Sequence, residues 1–311
     1  MYGFVPFAAS NAFLVSSSFF VRLDGAPKFA MTCSIIAAII NCILDYLFIF
    51  PFQFGVMGAG IATSIGSLIG AIMTCIYLLK SKHQLHFCSI SFQKSGFKLT
   101  QAVKRICTLG FPSFLGELAL SFMMLVGNIV FINYLGEDGV AAFSMACYFF
   151  PILFMIDSAI AQSAQPIVSY NFGQGRWDRV RKTISISLRT AVLSSLLSIV
   201  AFVFFPQYLV HLFIAPHDPA AAIAIAGFPY FATGFLFFIL NLVAIGFFQS
   251  VEKVLPAILF ALLRGVVFLF PAFLLLPELI GEKGMWLALP LSEIATFAVV
   301  VAYVVVGRRN R

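Results

Sequence analysis

Apolar residues along this chain fall into long runs, and polar residues collect in the short stretches between them. Nine runs stand out, and most are 18–28 residues long. A helix needs roughly 20 apolar residues to cross the hydrocarbon core of a bilayer. Because lipid offers no water to bond with backbone groups, each run predicts a membrane-spanning helix. The runs cover residues 4–21, 29–50, 56–79, 107–133, 140–170, 183–210, 221–249, 254–277 and 284–306.

The composition indicates that little of the chain lies outside the membrane. Apolar residues make up 61% of the 311 residues and charged residues only 10%, and the mean hydropathy is +1.03. Soluble domains are about 45–50% apolar and about 25% charged, so that class is excluded. Outer-membrane barrels are also excluded, since their strands are short and alternating. We therefore predict an all-α polytopic membrane protein.

The positive charges predict the orientation of these helices. The net charge is +7, and the basic residues lie in short loops, which indicates topology rather than binding of nucleic acid. The loops form two alternating sets. One set holds 17 of the 19 Lys and Arg residues, and the other holds only Lys283. The remaining basic residue, Arg264, lies within a run. The basic set is cytoplasmic by the positive-inside rule. We expect a multi-pass protein of the cell membrane, with Met1 outside and the C-terminus cytoplasmic.

Spans one to three resemble spans seven to nine. Gly55 and Gly58 correspond to Gly281 and Gly284, and the offset stays near 224–228 across all three spans. A period of six spans implies two like six-helix lobes. We therefore expect 1–79 to be the second half of an N-terminal lobe, 80–106 a cytoplasmic linker, and 107–311 a C-terminal lobe. The first lobe then lacks three helices, either because the sequence is a fragment or because the protein is a natural short form.

Ionisable residues inside apolar runs need an explanation, because each costs roughly 2.5–3.5 kcal/mol at the centre of a spanning helix. In the second run, Asn41 and Asp45 are four residues apart and lie on one helix face. Small residues make the third run suitable for close packing, and Thr63 would add a hydroxyl on the side of Asn41 and Asp45. This trio predicts a proton or cation site. The alternative is a polar cluster that only holds the bundle together.

The second bundle carries its own candidates. Pro112 predicts a break in the fourth run, and Glu117 is either a cavity acid for cations or a structural acid in a salt bridge. Asp157 is a second candidate for the cavity. Arg264 and Glu293 are expected to pair with each other. Some of the 38 phenylalanines are expected to line a cavity for flat cations, among them Phe149, Phe150, Phe154, Phe235, Phe237 and Phe238.

Four segments make the chain similar to a known family. They are RLDGAPK at 22–28, NCILDY at 41–46, FGVMGAGIAT at 54–63 and QPIVSYNFG at 165–173. Together they resemble the multidrug and toxic compound extrusion (MATE) transporters, and specifically the bacterial multidrug-resistance branch. The resemblance covers essentially the whole chain.

The resemblance implies a twelve-helix antiporter with two six-helix lobes. Such a protein exports organic cations and other xenobiotics in exchange for H⁺ or Na⁺ by alternating access. In prokaryotic relatives an Asn and an Asp four apart on the fifth helix, with a Thr on the sixth, form the cation site, and Asn41, Asp45 and Thr63 match that pattern. Glu117 loosely matches an acid on the seventh helix, whereas Asp157 matches no family motif. Beyond the coupling ion, no cofactor or metal is implied, and we expect a monomer.

Other interpretations stay open at this stage. A lipid-linked saccharide flippase of the same superfamily would favour a more basic cavity, and this chain has one clear Arg within a run, Arg264. A fragment unable to transport is a further alternative. A membrane enzyme would need a DDxxD, HExxH or GxSxG motif, and the sequence has none, so we do not expect an enzyme.

Overall fold

The computed structural model describes residues 5–79 and 99–309, and side chains within 8–79 and 99–307. The chain divides into two compact units, Met1–Phe97 and Lys98–Arg311. Most of the predicted linker, residues 80–98, lies outside the described residues. The assignment of the predicted ranges to lobes and half-lobes stays a prediction.

Unit one is a bundle of three helices: α1 (Val5–Leu23), α2 (Pro27–Ile49) and α3 (Gly55–Leu79). α3 packs against both of the others, and its small residues are the reason. A Cβ atom at Gly66 would lie 2.8 Å from the Ala37 carbonyl oxygen of α2, so a larger residue would push the helices apart. On the other side, Ser17 of α1 and Thr74 of α3 share a buried hydrogen bond of 2.7 Å. The predicted small-residue surface on α3 is confirmed.

Unit two begins with a very long helix, α4 (Leu99–Gly173), which consists of two helices joined at Gly136 (φ 65°, ψ −151°). It continues with α5 (Trp177–Phe204) and the short α6 (Pro206–Val210). Next come α7 (Pro219–Ala232) and α8 (Phe235–Ser250), which meet at a bend of 47°. Then α9 (Val254–Leu262) passes through a π-helical turn (Leu263–Val267) into α10 (Leu269–Ile280), and α11 (Glu282–Arg309) follows.

An aromatic cluster forms the core of unit two at one end of the bundle. Phe131 and Phe143 stack with ring centroids 4.6 Å apart, and Trp286 meets Phe131 edge-on at 5.0 Å. Gly127 and Gly227 face these rings so closely that a Cβ atom has no space. The large rings therefore pack directly on backbone, which anchors α4, α7 and α11 to one another.

Most of the predicted runs in the described part of the chain, but not the one that forms α1, give helices of membrane-spanning length and hydropathy. Six of its helices are long and apolar enough to cross a bilayer, and the bent pair α7–α8 raises the number to seven. α4 is one of the six although it contains two helices. Each of the nine predicted runs coincides with a helix or with helical pieces separated by a short break, and the largest difference is at the start of run 107–133, because α4 already begins at Leu99.

One expectation about a break is wrong. The helix runs through Pro112 without interruption, whereas the break at Gly136 lies between the predicted runs 107–133 and 140–170. Proline removes only one backbone donor, the one that would bond to the Thr108 carbonyl, and the rest of the helix continues. Next to it, Gln249 Nε2 donates to the Leu109 carbonyl and to Ser113 Oγ, both at 3.0 Å. The described part of α4 begins at Leu99, within the range 80–106 that is predicted to be a linker. Run 221–249 forms a bent pair of helices.

One type of turn occurs three times at helix ends. The residue at its centre has a positive φ, which is 88° at Gly25, 70° at Gly175 and 57° at Glu252. The next residue donates to a carbonyl five positions back: Ala26 to Val21, Arg176 to Asn171, and Lys253 to Phe248. This is the Schellman arrangement of helix ends. Gly25 and Glu252 lie at the spacing of the predicted repeat, so the two turns support that repeat.

Candidate functional site

The polar trio of unit one lies where α2 and α3 are in contact. Asn41 Nδ2 donates to Thr63 Oγ1 at 3.3 Å, and Thr63 in turn donates to the Ala59 carbonyl at 2.8 Å. Gly66 makes this approach possible, since a Cβ atom there would lie 3.0 Å from Asn41 Cβ. The expected contact between Asn41 and Thr63 is therefore present, and its role in coupling stays a prediction.

Asp45 lies one helical turn from Asn41 on α2. Its Oδ1 atom is buried and has no hydrogen-bond partner among the described residues. A buried carboxylate oxygen without a partner is costly, so such an atom calls for an explanation. A proton or a small cation would satisfy it, and the oxygens of Thr63 and Asn41 are the kind of ligand that a hard cation such as Na⁺ prefers.

Unit two contains a buried network centred on Glu293 of α11. Arg264 donates to Glu293 Oε1 from Nε at 3.0 Å and from Nη2 at 2.8 Å. Asn241 Nδ2 donates to Glu293 Oε2 at 2.7 Å and to the Glu293 carbonyl at 2.9 Å. Arg264 is 5% exposed, Glu293 1% and Asn241 0%. The predicted pairing of Arg264 with Glu293 is confirmed.

The backbone around Arg264 places its side chain in the network centred on Glu293. Arg264 and Gly265 lie in the π-helical turn between α9 and α10, and such turns are frequent at functional sites. Gly265 packs against Ala119 of α4 so tightly that a Cβ atom would collide with it. The guanidinium carbon of Arg264 also lies 4.2 Å from the ring centroid of Phe238, a cation–π distance. The turn, the close approach and the ring together hold the guanidinium in one place.

Two cavities meet at Arg264. The smaller one has an empty volume of about 290 Å³. Apart from Arg264 and Glu293 its wall is apolar, and Phe150, Phe154 and Phe238 contribute rings. The larger one has an empty volume of about 480 Å³, part of it open to solvent. Its polar lining is Ser113, Glu117, Ser158, Gln162, Gln165, Gln249 and Arg264.

The two acidic residues that were predicted to line a substrate cavity, Glu117 and Asp157, occupy different places. Glu117 lines the larger cavity. Asp157 lines neither of the two cavities; it is 6% exposed and lies close enough to Arg264 and Glu293 for Coulombic interaction. Of the predicted rings, Phe150, Phe154 and Phe238 line the smaller cavity. Within the described residues no three His, Cys, Asp or Glu side chains are placed to hold a metal ion.

Sequence reasoning missed two polar side chains of unit two. Asn241 binds both the side chain and the carbonyl of Glu293, and Gln249 bridges Gln165 (3.2 Å) and Leu109. The sequence feature that could have identified both residues is an amide side chain within the apolar run 221–249. Burying an uncharged amide costs less free energy than burying a carboxylate, so an amide within an apolar run is weaker evidence for a functional role.

Comparison with known proteins identifies the family. The MatE family profile matches residues 112–274, which is more than half of the chain. The chain therefore belongs to the MatE family, as the four segments of the sequence indicated.

Relatives named multidrug export protein MepA are similar to nearly the whole chain. The protein from Staphylococcus saprophyticus is 25% identical over 300 residues, which is 93% of this chain and 63% of the relative. One from Staphylococcus aureus strain MRSA252 is 25% identical over 302 residues, with the same shares covered. The chain thus spans less than two thirds of the length of these relatives.

Solved structures show the fold. A mutant of the Vibrio cholerae MATE transporter VcmN is similar with a TM-score of 0.88 and 18% identity, covering 100% of this chain and 69% of that one. A transporter of the MOP superfamily from Pyrococcus furiosus has a TM-score of 0.82 and 18% identity, covering 92% and 64%. The predicted all-α, polytopic membrane fold of the MATE type is confirmed.

Proposed function

We propose that this protein is a secondary active transporter that exports organic cations and other xenobiotics in exchange for H⁺ or Na⁺. Membership of the MatE family supports a transporter rather than an enzyme. The name multidrug export protein, given to relatives 25% identical to this chain, supports the class of substrate. The coupling ion is the one additional component that the proposal needs.

The observation that carries the proposal is the unpartnered oxygen of Asp45. An efflux antiporter needs a carboxylate that takes up the coupling ion in one state and gives it up in another. Asp45 Oδ1 is buried without a partner, next to a hydrogen bond between α2 and α3. Loading Asp45 removes its negative charge and changes the balance of polar contacts along α2 and α3. Binding of the ion thereby favours one arrangement of this helix pair over another.

Glu117 and the aromatic rings provide the substrate side of the proposal. Glu117 contributes a carboxylate to the larger cavity, and Phe154 contributes a ring to both cavities. A flat organic cation gains from the negative charge and from the faces of the rings. Asp157 is buried and lines neither cavity, so it acts on this region only through its Coulombic interaction with Arg264 and Glu293. The pairing of Arg264 with Glu293 leaves little net positive charge here, which disfavours the alternative of an anionic lipid-linked saccharide.

The cell membrane is the proposed location, with a cytoplasmic C-terminus. The distribution of basic loops supports this orientation. The bilayer is the surrounding partner, and small organic cations are the ligands. We propose a monomer as the transporting species.

The test is an exchange of Asp45 for its amide. The protein is reconstituted in liposomes, and extrusion of ethidium is followed by fluorescence under an imposed proton gradient or an imposed sodium gradient. The wild type is expected to transport under at least one gradient, and Asp45→Asn under neither, because an amide carries no charge for the ion to neutralise. Asp138→Asn is the matched control, since Asp138 is exposed in unit two; it is expected to keep wild-type transport. Undiminished gradient-driven efflux by Asp45→Asn would refute the coupling site.

A further inference from the structure

Arg189 is a basic side chain on the outside of α5, a helix of membrane-spanning length. It lies 12 positions after Trp177, at which α5 begins, so it belongs to the helix and not to the basic loop before it. Arg189 is exposed. One and two turns further along the same face, Leu193 and Leu197 are 71% and 73% exposed. Because water disfavours such leucines, this face of α5 meets lipid in a bilayer.

The length of the charge-free segment of α5 and α6 places Arg189 at the edge of the hydrocarbon core. Residues 190–210 carry no charge, and all of them except Phe205 are helical. At about 1.5 Å per residue this segment extends about 30 Å, which is the thickness of the core. When the segment fills the core, Arg189 lies next to the lipid phosphates. Side chains on a helix lean towards its N-terminus, so the guanidinium leans out of the core towards the headgroups.

A second basic side chain lies on the same face. Lys182 is exposed and precedes Arg189 by seven positions, which is about two helical turns. The opposite face of α5 is buried through Val180 and Ala191, so both charges point away from the protein. Within the described residues neither side chain takes part in an ion pair or a hydrogen bond, although Asp178 lies one turn before Lys182.

An anionic phospholipid is the ligand whose charge and position match this face. The guanidinium of Arg189 binds a phosphate through two parallel N–H donors, and the ammonium of Lys182 adds a point charge. Phosphatidylcholine offers a phosphate as well, but its choline group cancels the negative charge. Phosphatidylglycerol keeps that charge, and basic residues at a membrane surface attract such lipids.

We propose that the face of α5 formed by Lys182 and Arg189 binds the headgroup of an anionic phospholipid, with Arg189 on the phosphate and Lys182 on its cytoplasmic side. The inference goes beyond the proposed function, because neither residue lines the two cavities. The positive-inside rule accounts for basic residues in loops. It does not account for Arg189, which lies within the helix one turn from a leucine that faces lipid.

The test uses a tryptophan one turn from Arg189. The chain has two tryptophans; Trp286 is 3% exposed and is kept, and Trp177→Phe removes the other. Leu193→Trp then reports on the lipid next to α5. The full chain is reconstituted in phosphatidylcholine bilayers with a rising share of brominated phosphatidylglycerol or brominated phosphatidylcholine, and quenching of fluorescence gives the relative affinity. Phosphatidylglycerol is expected to bind at least about tenfold more tightly, because each basic residue near the surface adds about fivefold.

Two double variants of this reporter protein test which residues cause the preference. Lys182→Gln/Arg189→Gln removes both charges, and the preference for phosphatidylglycerol is expected to fall below about twofold. Lys104→Gln/Lys253→Gln is the matched control, because it removes two exposed basic residues from other helix ends of unit two. It is expected to keep the preference within about twofold of that of the reporter protein.

A second measurement needs no charge variant and keeps the proposal open to refutation if one of them does not fold. Raising the ionic strength from about 0.01 to about 1 M is expected to lower the preference of the reporter protein severalfold. Equal affinities for the two lipids, a preference that survives Lys182→Gln/Arg189→Gln, or an equal loss in the control variant would overturn the proposal. Loss of ethidium export with this lipid preference intact would overturn the proposed function alone.

Discussion

Glu117 is the side chain on which the proposed recognition of cations depends. It lines the larger cavity together with uncharged polar groups and with Arg264, whose charge is already paired with Glu293, so the Glu117 carboxylate supplies negative charge to this cavity. Glu117→Gln keeps the size of the side chain and removes that charge. Ethidium binding to the purified protein, measured by fluorescence titration, is expected to weaken about three- to tenfold, as for a partly exposed charge pair. Glu137→Gln, an exposed change in the same long helix, is the control, and an affinity for ethidium equal to that of the wild type in Glu117→Gln would argue against the assignment.

Residue identities and spacing predicted part of the two sites. Asn41 and Asp45 share a helix face by their spacing, and the contact with Thr63 follows because glycines let α2 and α3 approach. The pairing of Arg264 with Glu293 was predictable because a buried charge needs an opposite charge nearby. Sequence could not reveal that Asn241 binds the second oxygen of Glu293 or that the Phe238 ring lies over Arg264, since both depend on where these side chains lie in three dimensions.

The two halves of α4 depend on the conformation of Gly136. Its φ of 65° and ψ of −151° fall in a region that is essentially restricted to glycine. Gly136→Ala is therefore expected to destabilise the protein by about 1–3 kcal/mol, measured as a lower midpoint of thermal unfolding in detergent. Gly110→Ala is the matched control, because Gly110 lies in the same helix with no atom within 4 Å of a new Cβ. It is expected to be neutral or to stabilise the helix by less than about 1 kcal/mol, and an equal loss in both variants would contradict the special role of Gly136.

Helices were easier to predict than the places where they break. Long apolar runs identified the helices because the membrane forces backbone groups to pair within a helix. Pro112 was a misleading signal, since the helix continues through it and loses only one backbone hydrogen bond. The bend between α7 and α8 falls at Gly234, where Pro290 of α11 leaves no space for a Cβ atom, and the π-helical turn at Arg264 includes Gly265, which packs against Ala119. These contacts depend on helices that are distant in sequence.

The recurring turn and the repeat connect the elements to the whole chain. Gly25 and Glu252 adopt the same conformation in turns that join successive helices, and they lie at the offset that the sequence predicted. Gly25 and Glu252 are different residue types, yet the backbone conformation is the same at both positions. The structure therefore shows the repeat at this turn more clearly than the sequence does. This is why the repeat was weak at each sequence match and clear only as a constant offset.

The orientation in the membrane gives the last prediction, and residues 137–173 provide the means to test it. This helix of α4 contains 37 residues, so its length is about 55 Å at about 1.5 Å per residue. That exceeds the roughly 30 Å of the hydrocarbon core, so this apolar helix is long enough to place its two ends on opposite sides of the bilayer, which is the predicted arrangement. Asp138 and Asp178 are exposed residues near these ends, and each is replaced by cysteine in a variant whose six native cysteines are alanine. An impermeant maleimide is expected to label Asp138→Cys in intact cells, and Asp178→Cys only in inverted vesicles, because the loop with Arg176, Arg179 and Arg181 is basic. Labelling of both from one side would contradict the crossing by this helix, and the reversed pattern would invert the topology and place the C-terminus outside.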